Sequence, residues 1–354
     1  MQRRVFVALA ALLATTAFPA AAEPFKVGFV YVGPVSDHGW TYQHDQGRQA
    51  IEAEFGDAVE TTFVESVSEG PDAERVIRQL AATGHGLIFT TSFGFMDPTV
   101  KIAEQFPDVK FEHATGYKRA DNVSTFSGRF YEGRAIIGEI AAQMTETKKI
   151  GYIASFPIPE VVRGINAATL AARAIDPEIE TQVVWVNTWY DPGKEADAAK
   201  ALIAQGADVI MQHTDSPAAL QAAEAAGVVA FGQASDMKKF APSVQLTAII
   251  DDWAPYYVAR TRAAIDGSWE SIDAWYGLDR GMVVMADYAN MPEAVAERAR
   301  ATEAAISSGE KHPFAGPITD RDGTLRVAEG ETATEGEMLG MNWFVEGVLG
   351  DLPN

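Results

Sequence analysis

The chain of 354 residues contains no cysteine. Disulfides are thereby excluded, as are thiolate metal sites and a lipid-modified cysteine behind a leader. Positive charge is also scarce: 28 Lys and Arg stand against 49 Asp and Glu, a formal net charge of −21 at pH 7. Duplex affinity comes largely from Lys and Arg displacing counterions from phosphates, so nucleic acid is an unsuitable partner. The same sign disfavours anionic membranes. No G-x-G-x-x-G or G-x-x-x-x-G-K-[ST] follows any apolar run, which removes dinucleotides and nucleoside triphosphates. His38, His44, His113 and His213 form no H-x-x-x-H or H-E-x-x-H pair, so neither a metal nor any other cofactor is expected.

What is present begins with Arg3 and Arg4, the apolar segment VFVALAALL and the small-residue run ending at Ala22. These are the charged, apolar and A-x-A parts of a secretory signal. Residues 1–22 are therefore expected to be cleaved. A transmembrane helix needs roughly 20 apolar residues, and no later segment offers such a run without charges or prolines. The remaining length exceeds one comfortable core, so two lobes are expected.

Short β-branched or aromatic runs (KVGFVYV, ETTFVES, GLIFT, VKFEHAT, then KIGYIAS, TQVVWVN, DVIMQH, VVAFGQ) alternate with alanine- and glutamate-rich stretches such as PDAERVIRQLAATG. Strands alternating with helices predict βαβ units and parallel sheets. Two sets of four predict two doubly wound α/β lobes. The helical stretch GRAIIGEIAAQMTETK closes the first, and DDWAPYYVARTRAAIDG returns to it. The predicted division is 23–148 plus 252–286 for the first lobe, and 149–251 plus 287–354 for the second. HPFAGPITDRDGTLRV predicts a hairpin turning at Asp322-Gly323.

In open α/β sheets ligands sit beyond the carboxyl ends of the strands. Those ends carry SDHGW, TTSFGFMDP and EHATGY in the first lobe, and SFPIPE, NTWYDPGKE, HTDSPA and GQASD in the second. Acids and aromatics recur at nearly every one. Asp191 and Asp215 equally suit helix caps, with Pro192 at a first helical position, and Trp40 and Trp189 equally suit a core. An indole and carboxylates from each of two facing lobes would sandwich a flat ring and accept hydrogen bonds from its edge. Acids facing the ligand repel phosphates, which favours a free base or nucleoside over a nucleotide.

KVGFVYVGPVSDHGW, SFGFMDP, FEHATGY, NVSTFSGRFYEGR, IGYIASFPIPEVVRGINA, VVWVNTWYDPGKE, ADVIMQHTDSP and LGMNWFVEG, in this order, resemble the basic membrane protein family of ABC-transporter substrate-binding proteins, which includes purine nucleoside receptors. The resemblance implies a type I periplasmic binding protein fold that closes on a purine between two hinged lobes. It implies a ligand-binding set of Asp37, His38, Gly39, Trp40 and Thr41 from the first-strand loop, and Ser92 and Phe93 from the SFGF loop. From the second lobe it adds Trp189 and Asp236; strand-end position adds Asp191 and Asp215 as candidates, and a ribose would add Asp252. Trp40 and Trp189 would stack on opposite faces of the ring. Nucleoside-binding members carry a basic residue where this chain has Asp251-Asp252-Trp253, which favours a nucleobase, adenine first, with a ribose bonded to Asp252 as the rival. A membrane-embedded ABC permease is the implied partner. Many members are lipoproteins; lacking cysteine, this chain departs from them and is expected to diffuse in the periplasm as a monomer without a lipid anchor.

Two other classes remain. A nucleoside hydrolase or phosphorylase would want a carboxylate cluster for Ca²⁺ or an activated water, and the first strand ends without a D-x-D-x-x-x-D-D cluster. A sugar-type solute-binding protein would also use Trp and Asp.

Overall fold

The computed structural model describes residues 23–36 and 38–353, so the expected signal at 1–22 and the candidate Asp37 lie outside the described residues. Five strands open the chain: β1 (Phe25–Tyr31), β2 (Val59–Val64), β3 (Leu87–Thr91), β4 (Lys110–Ala114) and β5 (Val123–Gly128). Five more follow: β6 (Lys149–Ala154), β7 (Glu180–Trp185), β8 (Val209–Gln212), β9 (Val229–Gly232) and β10 (Gln245–Asp251). The remainder are β11 (Asp273–Tyr276), β12 (Val283–Met285), β13 (Ile318–Thr319), β14 (Leu325–Val327) and β15 (Val348–Leu349). They assemble into a six-stranded sheet ordered β11-β5-β4-β3-β1-β2 and a seven-stranded sheet ordered β12-β10-β9-β8-β6-β7-β15. All ladders of the first sheet are parallel. In the second, β12 alone runs antiparallel, against β10. This is the α/β architecture of two doubly wound sheets that the alternating pattern predicts.

The helices joining the early strands are α1 (Gly39–Phe55), α2 (Pro71–Ala82) and α3 (Met96–Ala103). In α2 the local logic is plain: Pro71 occupies the first turn with Asp72 and Glu74, while Ala73, Val76, Ile77, Leu80 and Ala81 form one buried stripe. Then come α4 (Phe130–Met144), α5 (Pro159–Arg173), α6 (Pro192–Ala204), α7 (Ala218–Ala226), α8 (Ala254–Asp266), α9 (Glu293–Ser307) and α10 (Glu335–Leu339). No helix among the described residues is long and apolar enough to cross a membrane.

The crossings between the sheets differ in two details from the division drawn on the sequence. Helix α4, placed in the first lobe, packs on α5 beside the second sheet: a Cβ on Gly138 would lie 2.2 Å from the Ala168 carbonyl oxygen. Its Arg134 donates to the Gln212 carbonyl at 2.9 Å. The first crossing therefore falls near Gly128, before the helix. Strand β12, also placed in the first lobe, pairs with β10, so the third crossing falls between Tyr276 and Val283. Helix α8 packs on α1, where a Cβ on Gly47 would lie 2.6 Å from the Tyr257 ring. The hairpin β13-β14 forms too, with Gly323 at φ 86° in its turn.

One apolar cluster, including Phe29, Phe89, Phe126, Tyr257, Ile136 and Ile165, runs continuously from the first sheet to the α4-α5 layer. Smaller clusters fill the outer face of each sheet, around Ile77, Ile88 and Phe111 and around Leu202, Ile210 and Leu220. Each sheet reverses its strand order beside its first strand, between β1 and β3 and between β6 and β8. Such switch points open a crevice at the carboxyl ends of the strands.

Candidate functional site

The two crevices face one another, and the slot between them is lined by Val32, Trp40, Ser92, Phe93 and Thr115 from the first lobe and Glu160, Trp189, His213, Asp215 and Gln233 from the second. Its cavity volume is only about 30 Å³. The space is thus narrow. A larger compartment of about 660 Å³ adjoins it past Phe93, Thr115 and Glu160.

Trp40 stands in the first turn of α1 and donates its indole N–H to the Thr91 carbonyl at 2.7 Å. Edge contacts with His44, Phe130 and Trp253 brace the ring. From the loop after β7, Trp189 lines the same slot and leans on Phe156 with 5.0 Å between ring centroids. Its indole N–H crosses to the first lobe and meets Glu69 Oε1 at 3.2 Å. The same oxygen accepts from Ser92 Oγ at 2.6 Å and from the Gly94 N–H at 3.2 Å.

The rim of the slot is rich in acceptors. Asp215 follows β8, anchored by its own N–H to the Trp189 carbonyl at 3.0 Å. Burial pushes its carboxyl well above the usual range and the Glu195 charge adds to this, while the Trp40 backbone N–H that it accepts opposes. Glu160, in the first turn of α5, lies 3.5 Å from His213 Nε2. Burial lowers the His213 pKa, against the opposing pull of Glu160. Arg134 donates to the side-chain oxygen of Gln233, another residue of the slot wall. The slot wall thus carries two carboxyl groups and one side-chain amide.

Of the residues expected at the site, Trp40, Ser92, Phe93, Trp189 and Asp215 line the slot. Gly39 and His38 stand just behind it: the Gly39 N–H donates to Ser235 Oγ of the other lobe at 2.7 Å, and His38 packs edge-on against Phe240. Thr41 is buried beside Gly33 and does not line the slot. The remaining aspartates are occupied elsewhere. Asp191 caps α6 by accepting from the Lys194 N–H, as its capping pattern allowed. Asp236 is exposed and accepts from the Lys238 N–H and from Gln245. Asp252 accepts from the Ala254 N–H and lines a separate groove with Tyr256 and Arg260, so the geometry places it away from a ligand in the slot. Asp215 does not cap α7, whose Ala218 N–H donates to Ser216 Oγ at 3.3 Å instead.

Glu160, His213, Gln233 and Thr115 were not singled out as ligand contacts, although each directly follows a strand end or begins the next helix. His44, His113 and His213 are each bonded within their own surroundings. Among the described residues no group of three or more His, Asp or Glu is arranged to hold a metal ion.

Residues 25–313 match the family described as ABC transporter substrate-binding protein PnrA-like. The chain is 57% identical over 333 residues to the purine-binding protein BAB2_0673 of Brucella abortus, covering 94% of this chain and 95% of that one. It is 40% identical to the putative ABC transporter glucose-binding protein TsgA13 of Haloferax volcanii, covering 95% and 83%. Among solved structures, an ABC transporter solute-binding protein of Aeropyrum pernix superposes with a TM-score of 0.71 over 81% of this chain and 92% of that one, at 17% identity, a likeness of fold alone.

Proposed function

The chain belongs to the PnrA-like family of ABC transporter substrate-binding proteins, and from that premise we propose that it captures a purine nucleobase, adenine ahead of other purines, for an importer. The observation that carries this reading is that Trp40 and Trp189, from opposite lobes, line one narrow slot whose edge bears Asp215 and Glu160. A slot admits a flat ring more readily than a puckered one. Stacking a base on an aromatic side chain contributes roughly 1–3 kcal/mol by alanine substitution. Two carboxylates suit the exocyclic amine and ring N–H of adenine, and the Gln233 amide suits a ring nitrogen acceptor. A carboxylate left without its donor is costly, so rings lacking N–H groups are rejected.

The name of the Brucella abortus relative supports a purine. The family is one of binding proteins, and the mechanism is capture without chemistry. Ligand touches both lobes only when they close and so shifts the balance toward the closed form. In the periplasm, reached through the signal expected at 1–22, the closed monomer would dock on a membrane permease that reads closure.

The name of the Haloferax volcanii relative favours a second reading, a sugar ligand. Titration calorimetry with adenine, hypoxanthine, guanine, adenosine, ribose and glucose separates the two. Tight heat with adenine and none with glucose is expected. Saturable binding of glucose with none of adenine overturns the proposal, and turnover of adenosine to free base would restore the enzyme reading.

A further inference from the structure

We propose that Glu69 is the latch of the closed cleft and the residue that positions Trp189. The proposal rests on the purine reading for its ligand, but the contact itself does not. Glu69 Oε1 gathers three donors: Ser92 Oγ at 2.6 Å and the Gly94 N–H at 3.2 Å from its own lobe, and the Trp189 indole N–H at 3.2 Å from the other. The first two hold the carboxylate in place; the third exists only when the lobes meet. The fit is close, since a Cβ on Gly94 would lie 2.1 Å from the Glu69 carboxyl carbon. Trp189 thereby has its edge tied to the first lobe while its face lines the slot. A bond made only on closure acts on ligand escape and not on encounter, so its signature is the off-rate.

Four variants read this out by stopped-flow release of adenine. Glu69→Ala removes the acceptor, and Trp189→Phe removes the N–H while keeping a stacking ring. Gly94→Ala displaces the carboxylate sterically from a position that does not line the slot. Glu69→Gln keeps an acceptor oxygen. Glu69→Ala and Gly94→Ala should release adenine about three- to tenfold faster with on-rates unchanged, a range set by about 1 kcal/mol for one hydrogen bond, and Trp189→Phe should release it at least as fast, because its smaller ring also stacks less. Glu69→Gln should stay within about twofold of the natural protein by the same measure. The Glu69→Ala and Trp189→Phe effects should not multiply in the double variant, because both delete one contact. Multiplying effects, or an unchanged off-rate in both Glu69→Ala and Gly94→Ala, would overturn the latch.

If the natural protein binds no purine, the ligand reading fails by itself. The latch is then judged without ligand, from distances between spin labels on the two lobes. Glu69→Ala should move that distribution toward open forms, and an unmoved distribution refutes the proposal.

Discussion

The indole N–H of Trp40 is hung from the Thr91 carbonyl, 2.7 Å away at the end of the neighbouring strand. The bond fixes the orientation of a ring that lines the slot. Trp40→Ala and Trp189→Ala should therefore each weaken adenine binding by about 1–3 kcal/mol, a loss of roughly 5- to 150-fold in Kd. Trp40→Phe should recover part of that loss, because a smaller ring still stacks. Calorimetric titration of the three variants measures it. Unchanged affinity in both alanine variants would remove the sandwich from the mechanism.

Gly39 has a different duty at the same junction. It opens α1 at φ 80°, a conformation that glycine adopts readily and L side chains rarely do. An added Cβ would lie 2.5 Å from the Asp215 carbonyl oxygen on the opposite lobe. Gly39→Ala thus carries a backbone strain of about 1–2 kcal/mol in every state, and a clash that is felt only on closure. A modest fall in Tm with a more than tenfold loss of affinity is expected, roughly 1.4 kcal/mol or more. Calorimetry together with small-angle scattering of the liganded protein distinguishes failure to close from failure to fold.

How much of this is readable in the sequence depends on where the partners of a residue lie. The buried apolar runs of β1, β3, β6 and β8 announce themselves by composition, and with them the two sheets. Strand β5 does not. Ser124 and Thr125 look like loop residues, yet their hydroxyls meet Arg260 and Asp273 more than 130 positions away. Helix α4 reads as the end of the first lobe because its local pattern is only helical; the contact of Gly138 with Ala168 that assigns it is tertiary. Strand-end position marks Trp40, Trp189 and Asp215, which line the slot. Asp191, Asp236 and Asp252 share that position, and a short side chain there serves a nearby backbone N–H equally well. The orientation of Gln233 is invisible locally, since distant Arg134 bonds its side-chain oxygen.

The return crossing is held by a buried charge. Glu112, fully buried in β4, accepts from Arg260 Nε at 2.5 Å, from Tyr256 Oη at 2.7 Å and from Trp269 Nε1 at 2.7 Å. Removing one member of such a pair leaves the other charge uncompensated. Glu112→Ala should cost about 3–5 kcal/mol in urea denaturation, because the Arg260 guanidinium is left buried without its anion. A loss below about 1 kcal/mol would mean that water reaches Arg260 and that the pair acts as an exposed one.

Asp251, at the end of β10, presents the opposite case. Its side chain is buried and neither carboxylate oxygen has a hydrogen-bond partner among the described residues. Burial lifts its pKa well above the ordinary 3.8; Glu160 and Asp215 raise it further, and only Arg134 opposes. The folded protein therefore binds a proton more tightly than the unfolded chain does. Between the ordinary carboxylate value and the raised one the native state holds more protons, so this group's contribution is fully present in acid and declines as pH rises. Asp251→Asn removes the ionisation while keeping the shape. It should stabilise the protein near neutral pH by about 1–3 kcal/mol, the scale for desolvating an unpaired buried polar group. The advantage should shrink steadily as the solution is acidified toward about pH 4, the ordinary carboxylate range. Thermal unfolding of both proteins across that range measures it. A variant that is less stable at neutral pH, or one whose difference does not change with pH, would show that Arg134 holds the carboxylate ionised.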